Sequence, residues 1–423
     1  KVNLDGADLL RAILMTRAAK EKYHGTSATS EVREFRIRMG MELDLMNLWF
    51  GKTADYFKQF ISDQTIGMAR INRFDFTTLP INLLYLLYYE YRRNEKESLN
   101  FSFFEYGKNS NGNPDDDRWE MYLELQEMYA ILQRWYNDKE LYHYLGFLFF
   151  NFKAQTPFRD IYTQWKTLNS RDKFLKDIQH TIATRMLDRY LEETEKAAPD
   201  YQKCLKTMTE AISDFRENWY NNDKELYQIL ILLDIFRILD SKSIKKLPTD
   251  YFTRKSGQKD GEDKEHILSQ TPRKDNGEIA TIKTDWEKFA QSEDFKDIRS
   301  QMQDILNHSD AELTEQELIQ LQNLLNSAGL NSIGNMALLD LRINRSYGNA
   351  DYAHKRTIIF QEYMNQKYVR PHTLAVFMKG DIDAREATGI PLNRWTLEDI
   401  KRNTDKIAKE IGKNFNAWLT QNN

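Results

Sequence analysis

From Asp5 to about residue 241 the chain is a run of apolar stripes at helical spacing with very little to interrupt them. Leu9, Leu10, Ile13 and Leu14 recur every three or four residues, as do Trp119, Tyr122 and Leu123, and later Leu226, Ile229, Leu233 and Phe236. The whole sequence has only 17 Gly and 8 Pro in 423 residues, about half the ordinary usage of those helix breakers. All-β and nucleotide-fold architectures are therefore disfavoured, and a large helical domain over residues 1–245 is expected. Aromatic residues at 13% supply its core. The breaks at Leu79-Pro80, at Lys108 to Asp117 and at Ala198-Pro199 read as surface connections within it. No repeat of fixed period is evident.

Several function classes fall away on composition. The net charge of −4 gives no overall basic field, so any nucleic-acid site must be a local patch. Cys204 is the only cysteine, which excludes an internal disulfide framework and a cysteine-rich zinc module and fits a reducing, cytoplasmic setting. The richest apolar stretch, Leu79 to Tyr91, is shorter than the roughly 18 residues of a membrane span and reads as a buried helix. The opening at Lys1, already within structured sequence, leads us to expect a fragment whose amino-terminal partner domain lies outside it.

The texture changes after Asp240, where Ser241 to Asp250 is basic and aperiodic and Tyr251 to Asp263 is polar with Gly257 and Gly261. A second domain is expected over 246–380, with a helical segment over 381–423 that includes a helix from Thr396 to Leu419. Two runs of strand length stand out in that second domain, Glu265 to Leu268 and Ile333 to Leu341. Between them lies a helical insertion, about 283–328, and after them a helix to about Gln366.

Glu265 and His266 on the first run, Asn335 at the start of the second and Asn344 nine residues later form a chemically coherent set. Phosphodiester hydrolysis needs an activated water and a cation that stabilises charge on the phosphate and the leaving oxygen. Histidine titrates near neutrality and can take the proton from water. Glu265 and the amide oxygen of Asn344 are hard donors suited to Mg²⁺ or Mn²⁺. Asn335 can hydrogen-bond the backbone or His266 and so fix the imidazole. The other six histidines show no ligand spacing.

The strings Lys264 to Gln270 (KEHILSQ), Ser332 to Asp340 (SIGNMALLD), Asn344 to Asn349 (NRSYGN) and Lys355-Arg356 resemble the carboxy-terminal HNH-type nuclease domain of GmrSD-type restriction proteins. Residues 1–24, and Lys1 to Met15 most closely, resemble the last helix of the ParB-like domain that precedes it in that family. The sequence departs from some members at Leu268 and Ser269, where those carry histidine and proline. The resemblance implies a mainly α protein with a small α+β part: a large helical domain, then a ββα-metal (HNH) nuclease domain carrying a helical insertion. It also implies a metal-dependent DNA endonuclease of a restriction and antiviral defence system, cleaving foreign DNA, with modification of that DNA left open. His266 and Asn335 would be catalytic, and Glu265 and Asn344 would be metal ligands. Any nucleotide would act only through the ParB-like domain, whose nucleotide-binding motifs do not occur in these 423 residues. Self-association is left open.

Leu341 to Gly380 holds seven basic residues against two acidic ones. Arg342, Arg345, Lys355 and Arg356 are the expected DNA contacts, gripping the backbone rather than reading bases. The competing reading is a non-catalytic helical adaptor whose degenerate nuclease domain binds DNA or a partner. A ribonuclease or nickase with the same site is a third.

Overall fold

The structure, a computed structural model, describes residues 5–22, 30–93, 98–100, 103–104, 117–242, 245–254, 261–269, 271–272, 278–341, 352–379 and 392–420. The chain divides into two compact units, Lys1–Ile178 and Gln179–Asn423.

In the first unit the helices are α1 (Gly6–Ile13), α2 (Ser30–Phe57), α3 (Asp63–Ile71), α4 (Asn82–Arg92), α5 (Asp117–Asn137), α6 (Lys139–Asn151) and α7 (Phe158–Leu168). A further helix, α8 (Arg171–Leu187), carries the division between the units. The apolar stretch expected as a buried helix is α4, whose residues Asn82 to Glu90 are all buried. Capping residues mark several starts: Asp5 makes a capping box on α1, and Asp138 accepts from the amides of Glu140 and Leu141 at the start of α6.

The second unit contains α9 (Tyr201–Ser213), α10 (Asp223–Asp240), β1 (Glu262–His266), α11 (Lys283–Ala290), α12 (Arg299–Asn307), α13 (Glu315–Ser327), β2 (Met336–Asp340), α14 (Tyr352–Met364), α15 (Pro371–Met378) and α16 (Leu397–Thr420). The sheet is one antiparallel pair, with Glu265 opposite Ala337 and His266 opposite Met336. Helices α11 to α13 lie between the strands in sequence, where the helical insertion is expected, and α16 occupies the expected terminal helix.

The two strands differ from their sequence reading. β1 begins three residues earlier than expected and stops at His266, and Ile333–Asn335 is a short 3-10 turn ahead of β2. The cause is tertiary. Glu262, Asp263 and Lys264 lack a strand-like apolar pattern and become strand because buried β2 offers them a hydrogen-bonding edge. Beyond His266 the Ile267 amide donates to the Asn335 carbonyl, and Leu268 is then held by the Asn335 side chain instead of the ladder.

The division between units also falls earlier than the expected change at residue 245. Residues from Gln179 onward belong to the unit that carries the hairpin, and α10 is bonded into it: Arg370 donates to Asp234 on α10 and, through two nitrogens, to Glu262 on β1. All three side chains are 2% exposed or less. Asp234 also accepts from the His372 amide at 2.7 Å, which ties α10 to the first turn of α15. An apolar core joins Ile267, Trp286, Met302, Leu321, Leu339, Tyr352, Ile359 and Ile400.

Candidate active site

His266 ends β1 and is held on several sides. Its Nε2 is hydrogen-bonded with Asn331 Oδ1 at 2.9 Å. The ring stacks on Tyr220, with centroids 4.6 Å apart and planes 17° from parallel. Its carbonyl accepts from Lys355 Nζ at 2.7 Å. The residue keeps 8% of its surface exposed.

The turn from Gly329 to Asn335 builds most of this cradle. Gly329 has φ +89°, and a β-carbon there would fall within 2.4 Å of the Phe215 ring, so only glycine fits. Ser332 then bonds back to the Gly329 carbonyl through its amide and its hydroxyl at 3.0 and 2.7 Å. Gly334 allows Ile400 and Thr404 of α16 to approach directly, since a β-carbon would lie 2.2 Å from the Ile400 carbonyl. In this frame Asn331 is 5% exposed, and its Nδ2 donates to Asn326 Oδ1 at 2.7 Å. The Asn331 carbonyl accepts from the Trp219 amide, which fixes the turn carrying Tyr220. Lys264 reaches the same turn, bonding Tyr220 O and Asp223, with its ammonium 4.1 Å from the Tyr220 ring centre.

Each sequence-derived site residue has a definite fate. Asn335 is fully buried, and its amide bonds backbone only: Oδ1 accepts from Leu268 N, while Nδ2 donates to Leu268 O and Leu330 O. It holds the segment after His266 rather than touching the imidazole. Glu265 Oε1 accepts from Lys355 Nζ at 2.8 Å. Asn344, Arg342 and Arg345 lie outside the described residues.

Lys355 requires a correction. It was expected on a DNA-facing surface, yet it is fully buried with its ammonium between Glu265 and the His266 carbonyl. Two further cations of the basic stretch share this fate: Arg370 is paired inside with Glu262 and Asp234, and Lys379 inside with Asp399, whereas exposed Lys367 pairs with Glu362 at the surface. Charge counting fails here because a buried cation must have a partner, and these partners are distant in sequence. Arg356 is partly exposed, with Nε donating to the Phe377 carbonyl at 3.0 Å.

Asn331 and Tyr220 are absent from the sequence reading. Each is an ordinary turn residue by spacing, and neither adjoins the Glu265-His266 pair in sequence.

The described residues supply one carboxylate for a cation. Glu265 is partly exposed, and Oε2 takes no hydrogen bond among the described residues. A hard divalent ion bound through one or two carboxylates, with water and phosphate completing its shell, is the usual Mg²⁺ arrangement, and a single available oxygen fits it. Among the described residues no three His, Cys, Asp or Glu side chains cluster in a metal-binding arrangement.

The hairpin thus carries its histidine and glutamate within a unit whose type is shown by comparison with known families: it holds a restriction-type nuclease domain of a defence system. Specifically, residues 209–410, just under half of the chain, match the family model of GmrSD restriction endonucleases, C-terminal domain. No curated protein and no solved structure matches the chain. Among the described residues no helix is long and apolar enough to cross a membrane.

Proposed function

We propose that the chain is a metal-dependent DNA endonuclease of the ββα, HNH-type class, with His266 as general base. The observation that carries this reading is the fixed imidazole at the end of a two-stranded hairpin, with an acidic neighbour and a helix, α14, following β2. A base immobilised on its Nε2, its ring face and its carbonyl loses little orientational freedom when the reaction begins. His266 takes the proton of the water that attacks the phosphate. Asn335 keeps the backbone after His266 in place. Charge stabilisation on the phosphate and leaving oxygen is the chemistry a bound Mg²⁺ or Mn²⁺ supplies. Glu265 is the described residue that would hold the ion, with Asn344 as the further expected ligand. Arg356, with Arg342 and Arg345, is assigned to the DNA backbone, and the family relationship favours foreign DNA, including modified DNA, as the target. The ParB-like resemblance of residues 1–24 extends the proposal to a preceding domain that would carry any nucleotide control.

The test is cleavage of modified and unmodified plasmid with Mg²⁺ or Mn²⁺, with and without chelator. His266→Ala should lower the rate by roughly 10²–10⁴-fold, the usual worth of a general base, without loss of DNA binding. Wild-type cleavage by that variant, or by the chelated protein, overturns the assignment. A domain that only binds DNA is the competing reading, and the use of Glu265 Oε1 by Lys355 is the observation in its favour. Binding without cleavage by the wild-type protein would establish it.

A further inference from the structure

We propose that the exposed face of α2, in the first unit, is a self-association surface on which α2 of a second copy of this chain lies antiparallel. The inference stands apart from the nuclease reading and uses no residue of the hairpin. A surface helix ordinarily turns an apolar stripe to the core and a polar face to water. Helix α2 is apolar on both faces. Its inner face buries Val32, Phe35, Met39, Leu43, Met46 and Phe50, while Ile37, Met41, Leu45 and Leu48 on the outer face are 57–63% exposed. Elsewhere among the described residues of that unit the exposed large apolar side chains are Leu9, Ile71 and Leu123, on three different helices. Scattered residues of that kind are ordinary, whereas a continuous stripe marks a contact surface.

The order of residues along the stripe identifies its occupant. Glu34, Ile37, Met41, Leu45, Leu48 and Lys52 follow one another at steps of three or four, so they share one line along the helix. Glu34 and Lys52 are 18 residues apart, five turns of helix, and therefore point the same way at the two ends of that line, about 27 Å from each other. Both are exposed, and neither forms an ion pair among the described residues. Turning a second α2 end for end about a two-fold axis at the level of Leu43 brings Glu34 of each copy to Lys52 of the other, Met41 to Leu45 and Ile37 to Leu48. Each member of the stripe meets its complement, which is the property of an isologous interface. A parallel pair would set Glu34 against Glu34 and Lys52 against Lys52. The apolar centre supplies the attraction and the terminal charges fix the direction, since exposed ion pairs contribute little by themselves.

Sedimentation equilibrium of the full chain over a concentration series tests this. The wild type should approach twice the monomer mass as concentration rises. Leu45→Arg puts a charge into the middle of the contact from both copies and should weaken the dimer by roughly 10³-fold. Leu45 is exposed in the single chain, so the helical signal of that variant should be unchanged. Glu34→Lys and Lys52→Glu each set like charges together at both ends and should each weaken the dimer by about 10-fold. The double variant Glu34→Lys/Lys52→Glu restores opposite pairs and should return to within about 3-fold of wild type. An equimolar mixture of the two single variants should dimerise as wild type does, which also shows both to be folded.

A chain that stays monomeric at every concentration, because the stripe receives a different protein or simply faces water, overturns the proposal. So does a dimer that Leu45→Arg leaves intact, which would place self-association on another face. A double variant as weak as the single ones overturns the antiparallel pairing, and with it the occupant argued here.

Discussion

Lys355 shows how much a residue's meaning depends on where the chain folds it. With Arg356 beside it, it reads as half of a basic pair on a helix, yet successive helical positions point about 100° apart. Lys355 therefore turns into the core to meet Glu265, while Arg356 stays at the surface. The two should respond oppositely to substitution. Lys355→Met leaves Glu265 without its buried cation and should destabilise the protein by about 3–5 kcal/mol, leaving the salt dependence of DNA binding unchanged in whatever fraction is folded. Arg356→Ala should barely alter stability but flatten the slope of log affinity against log salt by roughly 0.9, one phosphate contact. Denaturation and binding titrations at several salt concentrations read both. A flattened slope for Lys355→Met would return that lysine to the DNA surface.

Among the elements, α6 offers a clear pH prediction. Asp138 caps it, and Arg171 adds two bonds to the same carboxylate at 2.9 and 3.0 Å. Burial alone would raise the Asp138 pKa, but Arg171 and the Leu141 and Glu140 amides override it and hold the carboxyl below its ordinary 3.8. For a depressed folded-state value, the stabilisation is fully present above the unfolded pKa and disappears as pH falls through the folded one. Asp138→Ala should thus cost about 1–2 kcal/mol at pH 7, as lost caps do. Its penalty should shrink steadily as pH is lowered below about 4, where the wild-type cap itself protonates. Denaturant unfolding at both pH values measures it, and a penalty that does not change with pH would show that the ion pair contributes nothing. Element identities were largely legible from residue patterns: α16 buries a stripe at helical spacing, and α4 and α10 are apolar runs buried on nearly every side. β1 was the exception, since Glu262, Asp263 and Lys264 take strand form only against β2.

For the whole molecule, the single cysteine is a convenient reporter. Cys204 lies on α9 at 1% exposure, and α9 packs on α16 in the second unit. Its thiol should stay unreactive toward a thiol reagent in the native protein and be modified only as that unit opens. Labelling should then rise with denaturant in step with loss of helical signal. Rapid modification without denaturant would show that α9 frays independently of the unit. The placement of α9 and α10 with the nuclease domain was not legible from composition, which changes only after Asp240. That of α10 is settled by the buried Asp234, Glu262 and Arg370 cluster, whose members lie 28 and 108 residues apart along the chain, and that of α9 by its packing on α16.

By itself the sequence determined the predominance of helix, because sparse Gly and Pro and a three-to-four-residue apolar period act locally. It also determined the chemical character of the Glu265-His266 pair and the family relationship carried by residues 209–410, because both reside in residue identity. Only the tertiary structure decided that Asn335 clamps backbone, that Lys355 neutralises Glu265, and that Asn331 and Tyr220 orient the imidazole. The physical reason is range. Helix formation is satisfied within four residues, whereas a buried donor or cation must find its partner wherever folding brings one. For His266 that partner is 65 residues away, and for Glu265 it is 90.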